Sequence, residues 1–534
     1  NTAIGTNALD TNTTGEANTA CGRSALFANT TASNNTAVGK SALEANTTGP
    51  YNVAVGAYSL DANITGNSNT AIGYNSLTNT TSSSNVGVGF NALAANTTGN
   101  ENVAVGSVAM DASTTASRAV AVGNGALGSN TTGSYNCAVG FNALALTTTG
   151  ASNIAMGNGA ATQNTTGTNN VALGTVAFIS NTTGANNIAI GSESLYSTTG
   201  SSYNVAIGYR SAFSGNQGAN NTGVGSFALS ANSAANNTGI GYSALLANTT
   251  GANNTAVGKS AGYDTTTGSN NSIFGYHSLY DNTTGGNNVA IGYEALVKNT
   301  TASNNTGIGY QVLRLNTTGT KNTAVGSNAL DAVTTSSSNT AIGYQALTTH
   351  TGNNCTTVGS EALKLSTAER CNAFGSVALD ANTTGADNNA FGVGALGSNT
   401  TGQNNVAFGT SASAFQTTAS NNSAFGKGAL QNNTAANNTA VGYASLTANT
   451  TGPDNVAVGK DALAANTTGG YNVGIGRQTL LSATTASYNT GVGNGVLKLT
   501  TTGGFNVGIG VGSLDNNTTG YNNVAIGANA LDNS

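Results

Sequence analysis

Residues that could support catalysis or metal binding are few in this chain of 534 amino acids. It has two histidines, His277 and His350, and neither lies at a Ser-His-Asp or metal-ligand spacing. The short Gly-x-Gly segments, such as 87–89 and 508–510, are not followed by the Lys-Ser/Thr of a phosphate-binding loop. Aspartates are too scattered to form a calcium ladder. We therefore expect no catalytic site, no metal and no cofactor. We also expect that the protein is not an enzyme.

One pair of cysteines has a spacing with chemical meaning. Cys355 and Cys371 each replace the asparagine that opens a short repeated motif, in two successive copies. If the copies stack in register, the two Cα atoms lie about 4.8 Å apart, within the range that a disulfide spans. The spacing predicts an inter-coil disulfide in an extracellular location. The alternative, left open by the sequence, is two free thiols stacked in a ladder.

Asn-Thr-Thr tripeptides recur along the chain and satisfy the acceptor pattern for N-linked glycosylation. Candidate acceptors are Asn46, Asn96, Asn248, Asn399 and Asn466. Regular glycans at these positions would cover the surface of the protein. The alternative is that Asn and Thr are present because they are good turn residues.

Two further surface patterns suggest binding. Tyrosine often follows the glycine of the motif, as at Tyr74, Tyr242, Tyr276, Tyr310 and Tyr443, and could contact a carbohydrate target. Isolated exposed aromatic residues are common, however. Regular threonine pairs suggest ice binding, but the segment that carries them varies in length and is often interrupted.

The motif itself fills the chain, and residues 455–471, N-V-A-V-G-K-D-A-L-A-A-N-T-T-G-G-Y, are one copy of it. Gly459 and Gly476 are equivalent residues 17 positions apart, and we count about thirty-two copies. We call each copy a coil and number its positions from Asn455 (position 1) to Tyr471 (position 17). Some coils are one residue shorter, always between the Leu at position 9 and the next Asn.

The periodicity within a coil predicts its local structure. β-branched residues at positions 2 and 4 alternate with Ala or Gly at positions 3 and 5, which is typical of a strand. We expect a second short strand around the Ala-Leu at positions 8 and 9, and a turn at Asn-Thr-Thr-Gly. The fold class predicted is all-β: a parallel β-solenoid (β-roll or β-helix) of about thirty-two 17-residue coils. The asparagines at position 1 should form a ladder along it.

The array extends without interruption over residues 1–534, and we expect one continuous solenoid. The chain starts and stops within the motif, at Asn1 and Ser534, with no atypical capping coil. This suggests a segment of a longer fibre.

The small residues of the strand suggest how chains assemble. If Val and Leu fill a narrow core, positions 3 and 5 form an Ala/Gly strip on the opposite face, where another backbone can approach closely. We therefore predict a self-association seam along Gly56, Gly73, Gly459 and Gly476, closing most simply into a symmetric bundle such as a homotrimer. The alternative is that these glycines adopt a positive φ in a turn.

Composition excludes several classes of partner. Charged residues make up 6% of the chain and the net charge is −5, so the basic stripe of a nucleic-acid-binding protein is missing. The sequence has no run of 18 apolar residues, so it gives no indication of a membrane span. Low charge with abundant Asn is also found in disordered, aggregation-prone tracts. Here the apolar residues recur at fixed positions, which favours a folded array.

The motif resembles two groups of fibrous proteins. Asn-Val-Ala-Val-Gly at 52–56 and 455–459, and Asn-Val-Ala-Ile-Gly at 204–208 and 288–292, resemble the head repeat of trimeric autotransporter adhesins. The longer form, N-T-A-V-G-x-x-A-L-x-A-N-T-T-G, resembles repeats of bacteriophage tail fibres and bacterial fibre-like surface proteins. The first resemblance implies left-handed parallel β-rolls assembled as trimers that bind host surfaces. The added N-T-T-G segment departs from the adhesin pattern.

Together these features lead to an expected function. We expect a structural extracellular protein, the stiff shaft of a phage tail fibre or of a bacterial surface filament, assembled as a homotrimer. The alternative is an adhesin platform that binds a host surface or glycan along the repeat face.

Overall fold

The computed structural model describes residues 1–532, and each coil contributes one three-residue strand at positions 2–4. These residues contain 32 strands and no helix. The fold is a parallel β-solenoid of about 31 turns with 17 residues per turn, which confirms the predicted architecture.

The chain divides into two compact units, Asn1–Asn270 and Asn271–Ser534. Each unit is a stack of coils. Strands β1–β16 of the first unit are Thr2–Ile4, Thr19–Cys21, Thr36–Val38, Val53–Val55, Thr70–Ile72, Val86–Val88, Val103–Val105, Val120–Val122, Cys137–Val139, Ile154–Met156, Val171–Leu173, Ile188–Ile190, Val205–Ile207, Thr222–Val224, Thr238–Ile240 and Thr255–Val257. Strands β17–β32 of the second are Ser272–Phe274, Val289–Ile291, Thr306–Ile308, Thr323–Val325, Thr340–Ile342, Thr356–Val358, Asn372–Phe374, Asn389–Phe391, Val406–Phe408, Ser423–Phe425, Thr439–Val441, Val456–Val458, Val473–Ile475, Thr490–Val492, Val507–Ile509 and Val524–Ile526.

Successive coils stack in register through parallel strand pairing. In β28 and β29, Val456 lies opposite Val473 and Val458 opposite Ile475. The backbone N–H of Val456 donates to the carbonyl of Asn472 at 2.8 Å. Because every coil repeats the same path, equivalent residues form columns that run along each unit.

The prediction of a second strand around positions 8 and 9 is wrong. These residues form turns instead, with Asp461 at φ +58° and Leu463 at φ +51°. A left-handed backbone costs an L-residue about 1–2 kcal/mol. Complete burial of the Leu463 side chain, about 1.5–3 kcal/mol, offsets this cost. The backbone N–H of Leu463 still bonds the next coil, at the carbonyl of Thr479, 2.9 Å away.

The orientation of the strand is the reverse of the one predicted. Ala457 at position 3 is fully buried, as is Leu463, whereas Val456 and Val458 point outward and are half-exposed. Beside Leu463 the interior leaves little room beyond a methyl group at position 3. A Cβ added to Gly474, the equivalent residue in the next coil, would lie 3.3 Å from Cδ1 of Leu463. The core is therefore built from Ala and Leu, not from Val and Leu.

Two columns of buried asparagines complete the interior. Asn455 at position 1 accepts the backbone N–H of Asn472 at Oδ1, 2.9 Å away, as the predicted ladder requires. Asn466 at position 12 belongs to a second column, in which its Nδ2 donates to Oδ1 of Asn449 at 2.8 Å. Both Asn455 and Asn466 also donate to the carbonyl of Gly469, each at 2.9 Å. The amide N–H donors of both asparagines are therefore satisfied inside the coil, whereas Oδ1 of Asn466 has no hydrogen-bond partner among the described residues.

Candidate functional site

The outward face of the strands carries a column of half-exposed apolar side chains in each unit. In the first unit, side chains at position 4 are between 36% and 42% exposed in eight coils: Val38, Val55, Ile72, Val105, Val122, Val139, Ile207 and Ile240. In the second unit the same column includes Ile291, Ile308, Ile342, Val441, Ile475 and Ile509, between 36% and 41% exposed. Contiguous exposed apolar side chains on a soluble protein often mark an interaction site. Because these side chains recur from coil to coil in each unit, we call positions 2 and 4 together the strand face and treat it as the candidate site.

Part of the strand face is aromatic. Phe374, Phe391, Phe408 and Phe425 occupy position 4 in four successive coils, with ring centroids 4.7, 4.4 and 6.0 Å apart and nearly parallel rings. Phe408 is 49% exposed. Because stacked rings at a surface are large apolar groups, position 4 of the strand face carries its bulkiest apolar side chains in this segment.

The predicted Ala/Gly seam does not exist as an outer strip, because its alanines are inside the coil. The conformation of the single chain explains why glycine is present at Gly56, Gly73, Gly459 and Gly476. All four have φ between +135° and +136°. A Cβ on Gly459 would lie 2.6 Å from the carbonyl carbon of Gly476. Glycine is thus required by the turn and by the stacking of coils, which was the alternative left open.

The predicted glycosylation sites are not compatible with the folded chain. Asn46, Asn96, Asn248, Asn399 and Asn466 are all at position 12 and all fully buried. Their Nδ2 atoms, to which a glycan would be attached, donate to the Gly carbonyl three residues on, as Asn248 does to Gly251 at 2.8 Å. The Asn-Thr-Thr pattern reflects the interior column and the turn.

Both members of the predicted cysteine pair are free thiols in this structure, as the stacked-thiol alternative states. Cys355 and Cys371 are fully buried. Sγ of Cys355 accepts the backbone N–H of Cys371 at 3.3 Å, so it replaces the asparagine oxygen of the ladder. A hydrogen bond with the Cys371 thiol, and then burial, raises the pKa of Cys355. Cys21 and Cys137 lie instead on the strand face and are half-exposed.

The two histidines are far from equivalent. His350 replaces the asparagine of position 12 and is completely buried, with Nδ1 3.1 Å from the carbonyl oxygen of Ser366. Its Nε2 has no hydrogen-bond partner among the described residues. Burial lowers the pKa of His350 to about 4. His277 lies at the surface, stacked on Tyr276 with ring centroids 3.8 Å apart.

Three of the tyrosines at position 6, in successive coils, stack on one another in a column. Tyr276 and Tyr293 are 5.2 Å apart and Tyr293 and Tyr310 5.3 Å, with rings nearly parallel. In such a column the ring edges face solvent, while the flat faces contact the neighbouring tyrosines. The flat faces are the part of a ring on which a sugar would stack, so this column is poorly suited to the carbohydrate contact suggested for position 6.

Charged residues pair between coils at a spacing of 17. Arg118 bonds Glu101 at 2.8 Å and Arg210 bonds Glu193 at 2.7 Å in the first unit. In the second unit the pairs are Lys298 with Asp281, Arg314 with Asp331 and Arg370 with Asp387, at 2.8, 2.8 and 2.7 Å. Exposed pairs contribute only ~0–1 kcal/mol each. They distinguish coils that are otherwise nearly identical.

Metal-binding clusters and membrane-spanning helices are missing from the described residues. Among residues 1–532, no three His, Cys, Asp or Glu side chains are grouped so that they could hold a metal ion. No helix in this part of the chain is long and apolar enough to cross a membrane. The chain matches no model of a known protein family and no curated protein.

Proposed function

We propose that this chain is a structural protein, the stiff shaft of an extracellular fibre such as a phage tail fibre or a bacterial surface filament. We further propose that it assembles as a homotrimer through the strand face. The observation that carries the proposal is the column of half-exposed Val, Ile and Phe at position 4. The resemblance of the motif to fibre repeats supports the same conclusion.

The coils are suited to a mechanical role because each is bonded to its neighbours at every side. Gly459 donates its N–H to Val441 at 2.7 Å in the strand, and Thr467 donates to Thr484 at 2.9 Å in the turn. The interior asparagine columns add bonds between the same coils. To separate two coils, all these bonds must break together, which makes the stack resistant to bending and local opening.

A second copy of the chain is the partner that best fits the strand face. The face presents an apolar side chain once per coil, so its repeat along the stack is the strand spacing, about 4.8 Å. A partner that covers the face along its length needs the same repeat, and an identical chain has it. Three copies around one axis would bury the column in the centre. An adhesin platform along the repeat face is supported by the resemblance alone.

Charge substitution on the strand face tests the proposal. We expect the native protein to sediment as three chains. A variant with Val441→Lys, Val458→Lys and Ile475→Lys should lose this assembly, because nine charges, three from each chain, would meet in an apolar interface. A matched variant with lysine at the exposed position 14, Thr451→Lys and Thr468→Lys, should sediment like the native protein. A native protein that sediments as a monomer at micromolar concentration would refute self-association. Equal behaviour of the two variants would refute the role of the strand face.

A further inference from the structure

One group of coils in the second unit departs from the motif at its side rather than on the strand face. In the reference coil, positions 10 and 11 are Ala464 and Ala465. In three successive coils between residues 271 and 321, these positions and position 7 carry charged or aromatic side chains. They are His277, Tyr280, Asp281, Glu294, Lys298 and Arg314. In a chain with 6% charged residues, such a cluster is unusual.

Coil stacking brings these side chains around one cavity of about 370 Å³. Two aliphatic side chains complete its lining. Its volume lies at the lower end of the ~300–1,000 Å³ typical of small-molecule sites. It therefore suits a ligand the size of a sugar residue rather than a protein segment.

The charged groups of the cavity are held in place by their neighbours. Lys298 Nζ donates to Asp281 Oδ2 at 2.8 Å, and Gln311 Nε2 donates to Glu294 Oε2 at 2.8 Å. Arg314 donates through Nε to Asp331 Oδ1 at 2.8 Å. Its two terminal NH₂ groups have no hydrogen-bond partner among the described residues. The cavity thus presents fixed carboxylate acceptors together with a guanidinium that retains donors.

The balance of charge indicates the class of ligand. Asp281 and Glu294 offset Lys298 and Arg314, so the lining has no net charge. A phosphate or other strong anion would be repelled by the two carboxylates at close range, so its binding free energy would be small. A neutral polyol would bind more favourably, because its hydroxyl groups donate to the carboxylates and accept from Arg314 in charge-assisted hydrogen bonds.

Aromatic side chains, His277 and Tyr280, form one wall of the cavity. His277 lies between Tyr276 and Tyr280, with ring centroids 3.8 and 4.7 Å away, so its position is fixed. Tyr280 is tilted by 46° to His277 and lines the cavity. A pyranose ring has an apolar face of C–H groups and a rim of hydroxyl groups, which match an aromatic wall and a polar rim.

We propose that this cavity is a binding site for a neutral pyranose unit of a saccharide, recognised by Tyr280, Glu294 and Arg314. The site is at positions 7, 10 and 11, away from the strand face, so it does not depend on self-association. It differs from the tyrosine column at position 6, whose ring faces cover one another. It would give one segment of the chain a specific contact that the repeat as a whole lacks.

Saturation-transfer NMR on the full chain tests the site, with methyl glucoside, methyl galactoside and methyl N-acetylglucosaminide as neutral probes and methyl glucuronide as an anionic one. At least one neutral probe should bind with a Kd of about 1 mM. Tyr280→Ala and Glu294→Gln should each weaken that binding roughly tenfold, the loss expected for one strong contact. Tyr196→Ala is the matched control, since Tyr196 is also at position 10 but packs on Phe213 at 5.1 Å.

Several outcomes would overturn the proposal. They are the absence of binding by all three neutral probes, binding by the glucuronide alone, and equal loss of binding in the Tyr196→Ala control. Undiminished binding in both Tyr280→Ala and Glu294→Gln would also overturn it. Because both substitutions are at the surface, unchanged circular dichroism should confirm that the variants are folded. Sedimentation of these variants should match that of the native protein, which separates this test from that of self-association.

Discussion

The backbone N–H of Asn472 donates to the side-chain Oδ1 of Asn455, 2.9 Å away in the preceding coil. The same contact recurs between other coils, for example from Asn288 to Asn271 and from Asn69 to Asn52. A side chain of one coil therefore satisfies the backbone of the next, in an interior that water does not reach. This relationship explains why position 1 tolerates few other residues.

Asn455→Ala should therefore loosen the coil that follows. The substitution leaves the Asn472 N–H buried without a partner, at a cost of about 1–3 kcal/mol. Hydrogen exchange of the peptide that contains residue 472 should report a local opening free energy lower by that amount. Asn494→Ala, at an exposed asparagine of position 6, should change it by less than about 0.5 kcal/mol. Equal exchange in both variants would show that the ladder contributes nothing.

The two kinds of positive-φ glycine should respond differently to alanine. Gly459 has φ +135° and abuts the next coil, whereas Gly495 has φ +67° with open space around its Cα. Gly495→Ala should cost about 1–2 kcal/mol, the penalty of a left-handed L-residue. Gly459→Ala should cost at least about 3 kcal/mol, because a clash is added to a more strained backbone.

Thermal unfolding at two protein concentrations checks this comparison. A glycine required within the coil gives a loss that does not depend on concentration. If Gly459→Ala left the coil stable but lowered the sedimenting mass, the glycine would belong to a contact between chains instead. That result would support the self-association seam predicted from the sequence.

The buried His350 makes stability depend on pH. Its folded pKa of about 4 lies below its ordinary value of 6.5, so the unfolded chain binds the extra proton first as pH falls. Stability should decrease by up to about 3 kcal/mol between pH 6.5 and 4. The charge of Glu369 opposes this shift in the pKa of His350, but it is the smallest of the contributions to it.

His350→Asn restores the usual residue of position 12 and is the control for this prediction. The difference in unfolding temperature between native protein and variant should grow as pH falls from 6.5 to 4, and should be constant above pH 7. A difference that does not change with pH would show that His350 is not buried in its neutral form.

Thiol labelling distinguishes the interior from the strand face. Cys355 and Cys371 should remain unlabelled by iodoacetamide as long as the chain is folded, because both are fully buried. Cys137, at position 2, should be protected in the assembled protein. It should become labelled when Val122→Lys and Met156→Lys, one coil on either side, open the interface. Labelling of Cys137 at the same rate with and without these substitutions would show that the strand face is never covered.

The period of the sequence was sufficient to predict the solenoid, the 17-residue coil and the position-1 ladder. Alternation at positions 2 to 5 located the strand, because only a strand has a period of two. The same alternation does not say which face is inside. The larger residues, Val456 and Val458, were assigned to the core on hydrophobicity, but the narrow coil admits only the methyl group of Ala457 beside Leu463.

Other predictions were wrong for the same reason: the sequence does not show which side chains fit inside the coil. Asn466 looked like a turn residue or a glycan acceptor because its neighbours are Thr and Gly. The recurrence of Asn at position 12 in most coils was the available signal of an interior column. The left-handed backbone of Leu463 leaves no mark in the sequence, because Leu rarely adopts it without the compensation of burial. The cavity beside Tyr280 required knowledge of which positions of successive coils share a side.

The decisive test of self-association through the strand face is the cross-section of the native assembly, determined by cryo-electron microscopy. We expect three chains around one axis, with the position-4 side chains, Val458 and Phe408 among them, packed against each other at the centre. A single chain in cross-section, with Val458 and Phe408 in contact with solvent, would contradict it. Chains that meet through another side of the coil would contradict the assignment of the strand face.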